Sequence, residues 1–290
     1  MSVKSAGLRK SAAVAHRLLW VVFFAQFVVR QFTELPYNYW LGWLPAIAAI
    51  GISTSMSRSA RKQIETDPPA PVEVAPPVTG RWSALNSPAD NVPSHGTHHL
   101  GQTYAIDITA EPEEGPARPK PVWFWPVARR GDAYPAFGQP LHAVADATVV
   151  HAEDGQRDHL SRSSLVGVLY FRLVEGVGRT LGGTRRVVGN HIVLDLGGGT
   201  YAMYAHVRRG SLTVRAGDRV VAGQWLGDCG NSGNSTEPHV HFQLMDGPDP
   251  DTARGVPFTW RGIGVPANGA FFTAGGTGEE AAAQAPSRAA

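Results

Sequence analysis

The chain has 290 residues, 43% hydrophobic and 17% charged, with a formal net charge of +2. That length holds one large domain, or one domain with appendages, and 33 Gly with 22 Pro exclude a coiled coil or helical bundle. A single cysteine, Cys229, excludes an intrachain disulfide framework and a cysteine-cluster metal site.

The positive charge is unevenly placed. Residues 1–62 hold eight Lys/Arg against one acidic residue, whereas residues 63–290 hold 18 against 23. The basic excess therefore points to anionic membrane lipid near the N-terminal segment and excludes nucleic acid as the partner of the mildly acidic remainder.

Residues 1–62 read as a membrane anchor. Residues 18–29 are apolar except for Gln26, a run too short to cross a hydrocarbon core, which takes about 20 residues. Residues 35–57 carry no charge, and Tyr37, Tyr39, Trp40 and Trp43 cluster at their start as interfacial aromatics do. This tract predicts a transmembrane helix, alone or as a short hairpin with residues 18–29. Residues 63–93, with Pro68, Pro69, Pro71, Pro76, Pro77 and Pro88, read as an extended linker. Residues 94–264 form the expected folded domain, and residues 265–290 an Ala/Gly-rich disordered tail.

Within 94–264 the signals are those of strands. Residues 143–151 alternate, residues 190–196 and 200–207 flank the turn Gly197-Gly198-Gly199 as a hairpin, and residues 239–244 make a further strand. No long 3.6-residue apolar period occurs, so the fold class is mostly β: an antiparallel sheet or barrel-sandwich-like domain behind a helical N-terminal segment. The inserts at 108–139 and 154–188 exceed ordinary hairpin loops.

His239 and His241 stand two apart on one predicted strand, so their side chains share a face. Two imidazoles without a cysteine cluster suit zinc, although a His-x-His pair taken alone reads equally as a solvated strand edge. The segment directly before them, residues 227–238, is packed with glycines and small polar residues. Such a segment lays backbone against a groove and offers many donors.

Gly-Asn-Ser-Gly-Asn-Ser-Thr-Glu-Pro-His-Val-His-Phe, residues 230–242, resembles the last motif of the lysostaphin-type (LytM-like) zinc metallopeptidases. Residues 189–196, 201–207 and 214–227 follow the family in order and spacing, and residues 140–149 resemble its early strand, with Ala147 where the family has Gly. The resemblance covers about residues 94–246 and implies a metallopeptidase domain with one zinc ion. It further implies hydrolysis of peptide bonds in bacterial cell-wall peptidoglycan, at the peptide stem or cross-bridge. His241 matches a zinc ligand, and His239 and His206 match the histidines that face the attacking water. Asp107 matches the ligand Asp, but Thr103 stands where the family's first His would be. His99, His98 and His95 are the candidates for that ligand. His99 is preferred because His99-Leu100-Gly101 keeps the family's opening and its even separation from Asp107 suits one face of an extended segment. The expected set is thus His99, Asp107 and His241 for zinc, with His206 and His239 catalytic.

Two further readings compete. One is a catalytically degenerate domain of the same fold that binds peptidoglycan or regulates a cell-wall amidase. The other, a lipoyl or biotinyl carrier suggested by residues 217–224, fails because no Lys follows Lys120. Peptidoglycan as substrate implies a bacterial cell membrane location with the domain outside the cytoplasm, whereas the basic residues at both ends of a hairpin favour the cytoplasmic side.

Overall fold

The structure is a computed structural model, which describes residues 3–66 and 69–275. Two helices come first, α1 (Val3–Val29) and α2 (Leu44–Thr66). Fifteen strands follow among the described residues: β1 (Val72–Val74), β2 (Gly80–Leu85), β3 (Ile106–Ala110), β4 (Ala128–Arg129), β5 (Pro140–His142), β6 (Ala147–Glu153), β7 (Ser161–Arg162), β8 (His191–Asp195), β9 (Tyr201–Ala205), β10 (Arg219–Val220), β11 (Trp225–Asp228), β12 (Val240–Met245), β13 (Gly255–Val256), β14 (Phe258–Trp260) and β15 (Phe271–Ala274).

The principal sheet runs β10-β6-β8-β9-β12-β3-β2-β15, every neighbour antiparallel, with β13 also paired to β12. Alternation sorts its two faces. Ile106, Ile108, Ile192, Leu194, Ala202, Tyr204, Val240, Phe242 and Leu244 enter the main core with Trp82, Leu141, Leu226, Phe258 and Trp260. Val193, Met203, Ala205 and Met245 pack a smaller cluster with Val188 and Ala253. The second face also carries the polar residues of interest, so the sheet is a floor with the main core beneath it. The hairpin expected around Gly197–199 forms as β8 and β9, paired from His191↔Ala205 to Asp195↔Tyr201.

The domain boundaries lie outside those expected. Residues 72–85, read as linker, supply β1, which pairs in parallel with β14, and β2, which lies inside the principal sheet. Val74, Val78, Trp82 and Ala84 are buried there, so the prolines of this stretch punctuate short strands rather than extend a spacer. Residues 265–275 are likewise folded. β15 pairs with β2, and Phe272 packs on Trp260 with ring centroids 5.3 Å apart. The rest of the expected tail, 276–290, lies outside the described residues.

The insert at 154–188 holds short helices that no long apolar period announced: α3 (Leu165–Tyr170), a π turn at Phe171–Glu175, α4 (Gly176–Leu181) and α5 (Thr184–Val188). Ser164 starts α3 by accepting a hydrogen bond from Gly167 N at 3.0 Å. α3, the π turn and α4 run on without a break, and Leu165, Leu169, Leu173, Val177 and Leu181 recur every four positions, a spacing that follows the π turn rather than a strict 3.6-residue period.

The predicted transmembrane helix over 35–57 does not form. Among the described residues no helix is long and apolar enough to cross a membrane. The reason is local. Asn38 accepts a hydrogen bond from Trp40 N at 3.1 Å and starts a 3-10 turn, Tyr39–Trp43, so α2 begins only at Leu44 with Pro45 in its first turn. From Leu44 to the first charge, Arg58, the apolar stretch spans roughly 20 Å at 1.5 Å per residue, short of the ~30 Å of a hydrocarbon core. α1 and α2 pair as a helical hairpin whose turn is closed by Gln26, bonded to Gly42 O and accepting from the Tyr37 hydroxyl at 2.7 Å. α1 meets the β domain through Arg17, whose Nη2 reaches Thr184 Oγ1 at 2.8 Å and Asp251 Oδ1 at 3.0 Å.

Two outcomes are expected from this packing. Phe272→Ala removes the ring that seals β15 onto Trp260 and should lower unfolding free energy by about 3 kcal/mol, read by urea denaturation; an unchanged midpoint would place 265–275 outside the domain. Cys229 is buried and its thiol pKa is pushed well above the ordinary thiol range, by burial first and then by Asp158 and Asp228. It should therefore react with an aromatic disulfide reagent only after denaturant is added, and fast labelling of the native chain would contradict this burial.

Candidate functional site

The site grows from one row of the sheet. Asp107 on β3 lies opposite His241 on β12, which lies opposite Ala205 at the end of β9. Residues directly opposite in antiparallel strands share a face. Asp107 and His241 therefore stand side by side on the face away from the main core. Asp107 Oδ1 is 2.9 Å from His241 Nδ1, and Oδ2 is 3.0 Å from His95 Nε2. The ligating atoms of His95, Asp107 and His241 all lie within 4.8 Å of one another.

His95, not the preferred His99, completes this group. The expectation took residues 99–107 as extended. They instead coil into a 3-10 segment, His99–Tyr104, with Leu100 at φ 58° and Gly101 at φ 71°, which carries His99 away from Asp107. The His99 ring stacks against His16 of α1 with centroids 6.3 Å apart, and its Nε2 is buried with no hydrogen-bond partner among the described residues. His98 Nδ1 is paired with Thr103 Oγ1 at 3.1 Å. The coil brings the chain back so that His95 meets Asp107, held by Ser94 N donating to Thr103 O at 3.2 Å.

Two residues that motif reading passed over orient the group. Asn86 donates from Nδ2 to Asp107 Oδ2 at 2.8 Å. Gln243, two residues beyond His241 on the same strand face, donates from Nε2 to Leu100 O at 2.8 Å, so its Oε1 accepts from His241 Nε2 at 2.9 Å. That bond puts the His241 proton on Nε2 and leaves the Nδ1 lone pair facing the cluster. The i+2 spacing from His241 is a signal that could have found Gln243; Asn86 sits in a loop after β2 and left no signal.

His206 and His239 stand beside the three. Ring centroids are 4.8 Å apart between His206 and His239 and 5.9 Å between His206 and His241, and His239 Nε2 is 3.5 Å from Asp107 Oδ1. His206 Nδ1 is 2.9 Å from Ser232 O, and His239 Nδ1 is 2.8 Å from Glu237 O. A carbonyl only accepts, so both rings carry a proton on Nδ1. His206 holds φ 64°, a left-handed conformation uncommon for a residue with a side chain and often found where a site imposes it. Burial would raise the Asp107 pKa, but the charges of His239 and His95 and a hydrogen bond from His239 hold it well below the usual carboxylate range. Burial, then the neighbouring His239 and His241, drive His206 well below the ordinary imidazole value. Burial opposes protonation of His239 too, but Asp107 raises its pKa.

The loop carrying Ser232 and Glu237 is braced by both inserts. Arg118 pairs with Glu237, Arg162 N donates to Thr236 O at 2.7 Å, and Asn231 receives Asp158 and His159 as partners. Gly233 (φ 71°) presses backbone to backbone on Gly189, where an added Cβ would sit 2.4 Å from Gly189 N. These glycines are needed for close approach rather than for flexibility. Of the remaining histidines, His142 and His159 are spent on carbonyls of Gly223 and of Leu160 and Gly233.

Two imidazoles and a carboxylate, with no thiolate nearby, form a donor set suited to zinc, and the unused Nδ1 lone pair of His241 fits that role.

Parts of the chain are similar to known proteins. A stretch of 58 residues, 20% of this chain, is 45% identical to the glycyl-glycine endopeptidase ALE-1 of Staphylococcus capitis, covering 16% of that protein. The lysostaphin catalytic domain from Staphylococcus simulans aligns at 20% identity over 61% of this chain and 88% of that one, with a TM-score of 0.32. LytU aligns at 18% identity over 65% and 84%, with a TM-score of 0.30. Residues 174–252 match Peptidase family M23. His95 and Asp107 lie upstream of that match, while His206, His239 and His241 lie within it. Over that segment the chain is similar to Peptidase family M23, in line with its resemblance to the lysostaphin-type, LytM-like peptidases.

Proposed function

We propose that the chain is a zinc-dependent endopeptidase that hydrolyses peptide bonds of bacterial peptidoglycan. The observation that carries this reading is the convergence of His95, Asp107 and His241 beside His206 and His239. His95, Asp107 and His241 would hold the metal. Zinc supplies Lewis acidity, which makes water more acidic and a carbonyl more electrophilic.

The remaining chemistry belongs to the chain. His206 and His239 keep Nδ1–H on main-chain carbonyls, so in its neutral form either ring offers Nε2 to take a proton from an attacking water and return it to the departing amine. Anchoring by Ser232 O and Glu237 O fixes both rings before substrate arrives, so little reorganisation is required during reaction. Gln243 and Asn86 hold His241 and Asp107 in place.

The substrate places the domain outside the cytoplasm of a bacterial cell. The N-terminal hairpin is proposed to rest on anionic lipid rather than to cross it. Leu18, Val22, Phe27 and Val28 of α1 and Leu44, Ile47 and Ile50 of α2 are exposed. Lys4, Arg9 and Lys10 lie in the first half of α1 with Arg17 near its middle, and Arg58, Arg61 and Lys62 lie in the second half of α2.

The full chain should release peptide fragments from purified cell walls, and chelation should abolish the release until zinc is restored. His241→Ala should reduce it to background, and His206→Ala should slow it by about 10²–10⁴-fold while tight zinc binding remains. Tight zinc binding without release, or wall binding without metal, would instead favour the non-cleaving regulator. Gln243→Ala should weaken zinc affinity by roughly 10–100-fold, measured by competition with a chromogenic chelator; unchanged affinity would remove Gln243 from the orienting role.

A further inference from the structure

A second group of metal-binding side chains stands on the same sheet face. The row that contains Asp107, His241 and Ala205 continues through His191 on β8 to Glu153 on β6. His151, two residues before Glu153 on the same strand, brings its ring over His191 with centroids 4.3 Å apart and planes inclined by 21°. His151 Nε2 lies 4.0 Å from Glu153 Oε2, and the three residues present ligating atoms within 4.8 Å of one another.

The tautomer of His191 is set. Its Nδ1 is 2.9 Å from Gly189 O, so Nδ1 carries the proton and the Nε2 lone pair makes no hydrogen bond among the described residues. A backbone carbonyl on the far nitrogen is the arrangement that orients metal-bound imidazoles. The residue is more than nine-tenths buried, at 7% exposure, and burial lowers its pKa, which keeps the ring neutral and able to ligate. His151, by contrast, is exposed, so an ion can enter from solvent. Glu153 is held by Arg185, whose Nε reaches Oε1 at 2.7 Å and Oε2 at 2.9 Å, with Gln156 Nε2 on Oε1 at 3.3 Å. A carboxylate offers about four lone-pair sites, so these contacts compete with a metal without filling the group.

We propose that His151, Glu153 and His191 form a second binding site for a divalent transition ion, zinc or a neighbour in the first row. It is separate from the candidate catalytic group. His191 lies two strands from His241, about 10 Å at the ~4.8 Å spacing of neighbouring strands, too far for the roughly 3.5–4 Å of a shared two-metal centre. Two imidazoles and one carboxylate favour such ions over calcium or magnesium, which prefer all-oxygen cages. Arg185 restrains the site and makes it the weaker of the two.

Titrating the metal-free full chain with zinc chloride, with bound zinc counted by elemental analysis, tests this. The intact chain should bind two equivalents and His151→Ala one, with unchanged far-ultraviolet circular dichroism because His151 is exposed. Arg185→Ala should tighten the second equivalent. His95→Ala should remove the tighter equivalent and spare the weaker one, so failure of the catalytic reading and failure of this site give different patterns. Equal stoichiometry and affinity in the intact chain and His151→Ala would overturn the proposal.

Discussion

Asp107 is a buried carboxylate that the fold tolerates only because imidazoles surround it. An ionised group removed from water is costly unless it is paired and hydrogen-bonded. Here both oxygens are engaged, Oδ1 with His241 and His239 and Oδ2 with His95 and Asn86. The four partners arrive on three pieces of chain: a loop after β2, the segment before the 3-10 coil, and β12 with the loop that precedes it. The pairing of β3 with β12 sets the carboxylate beside His241, and the other contacts close around that pair.

Rigidity at this point has to come from the surroundings, and it does. β12 is buried along its whole length and flanked by β3 and β9. The loop before it is pinned by Gly233 against Gly189, by Asn231 to Asp158 and His159, and by the ion pair of Glu237 with Arg118. The long inserts thus act as buttresses of the site loop. Glu237 anchors one of them through Arg118.

The strands that make the site were legible because alternation and turn glycines mark them: β8, β9 and β12 form where residues 190–196, 200–207 and 239–244 read as strands. Asp107, His206, His239 and His241 were named from the resemblance of their motifs to a family, and the fold brings the four together. His95 was not, because spacing along an extended segment says nothing of a coil in which Leu100 and Gly101 reverse the chain. β1, β2 and β15 were hidden by proline and Ala/Gly composition, since their burial depends on partners distant in sequence. The membrane span failed on a cap: Asn38 and the turn after it interrupt a tract that composition alone reads as continuous.

The central claim is that His95, rather than His99, joins Asp107 and His241 in one metal-binding group. Tight zinc affinity of His95→Ala and His99→Ala, measured side by side with a chromogenic chelator, tests it most directly. The account predicts that His95→Ala loses the tight equivalent while His99→Ala retains it. Loss in His99→Ala with retention in His95→Ala would contradict the arrangement built around Asp107.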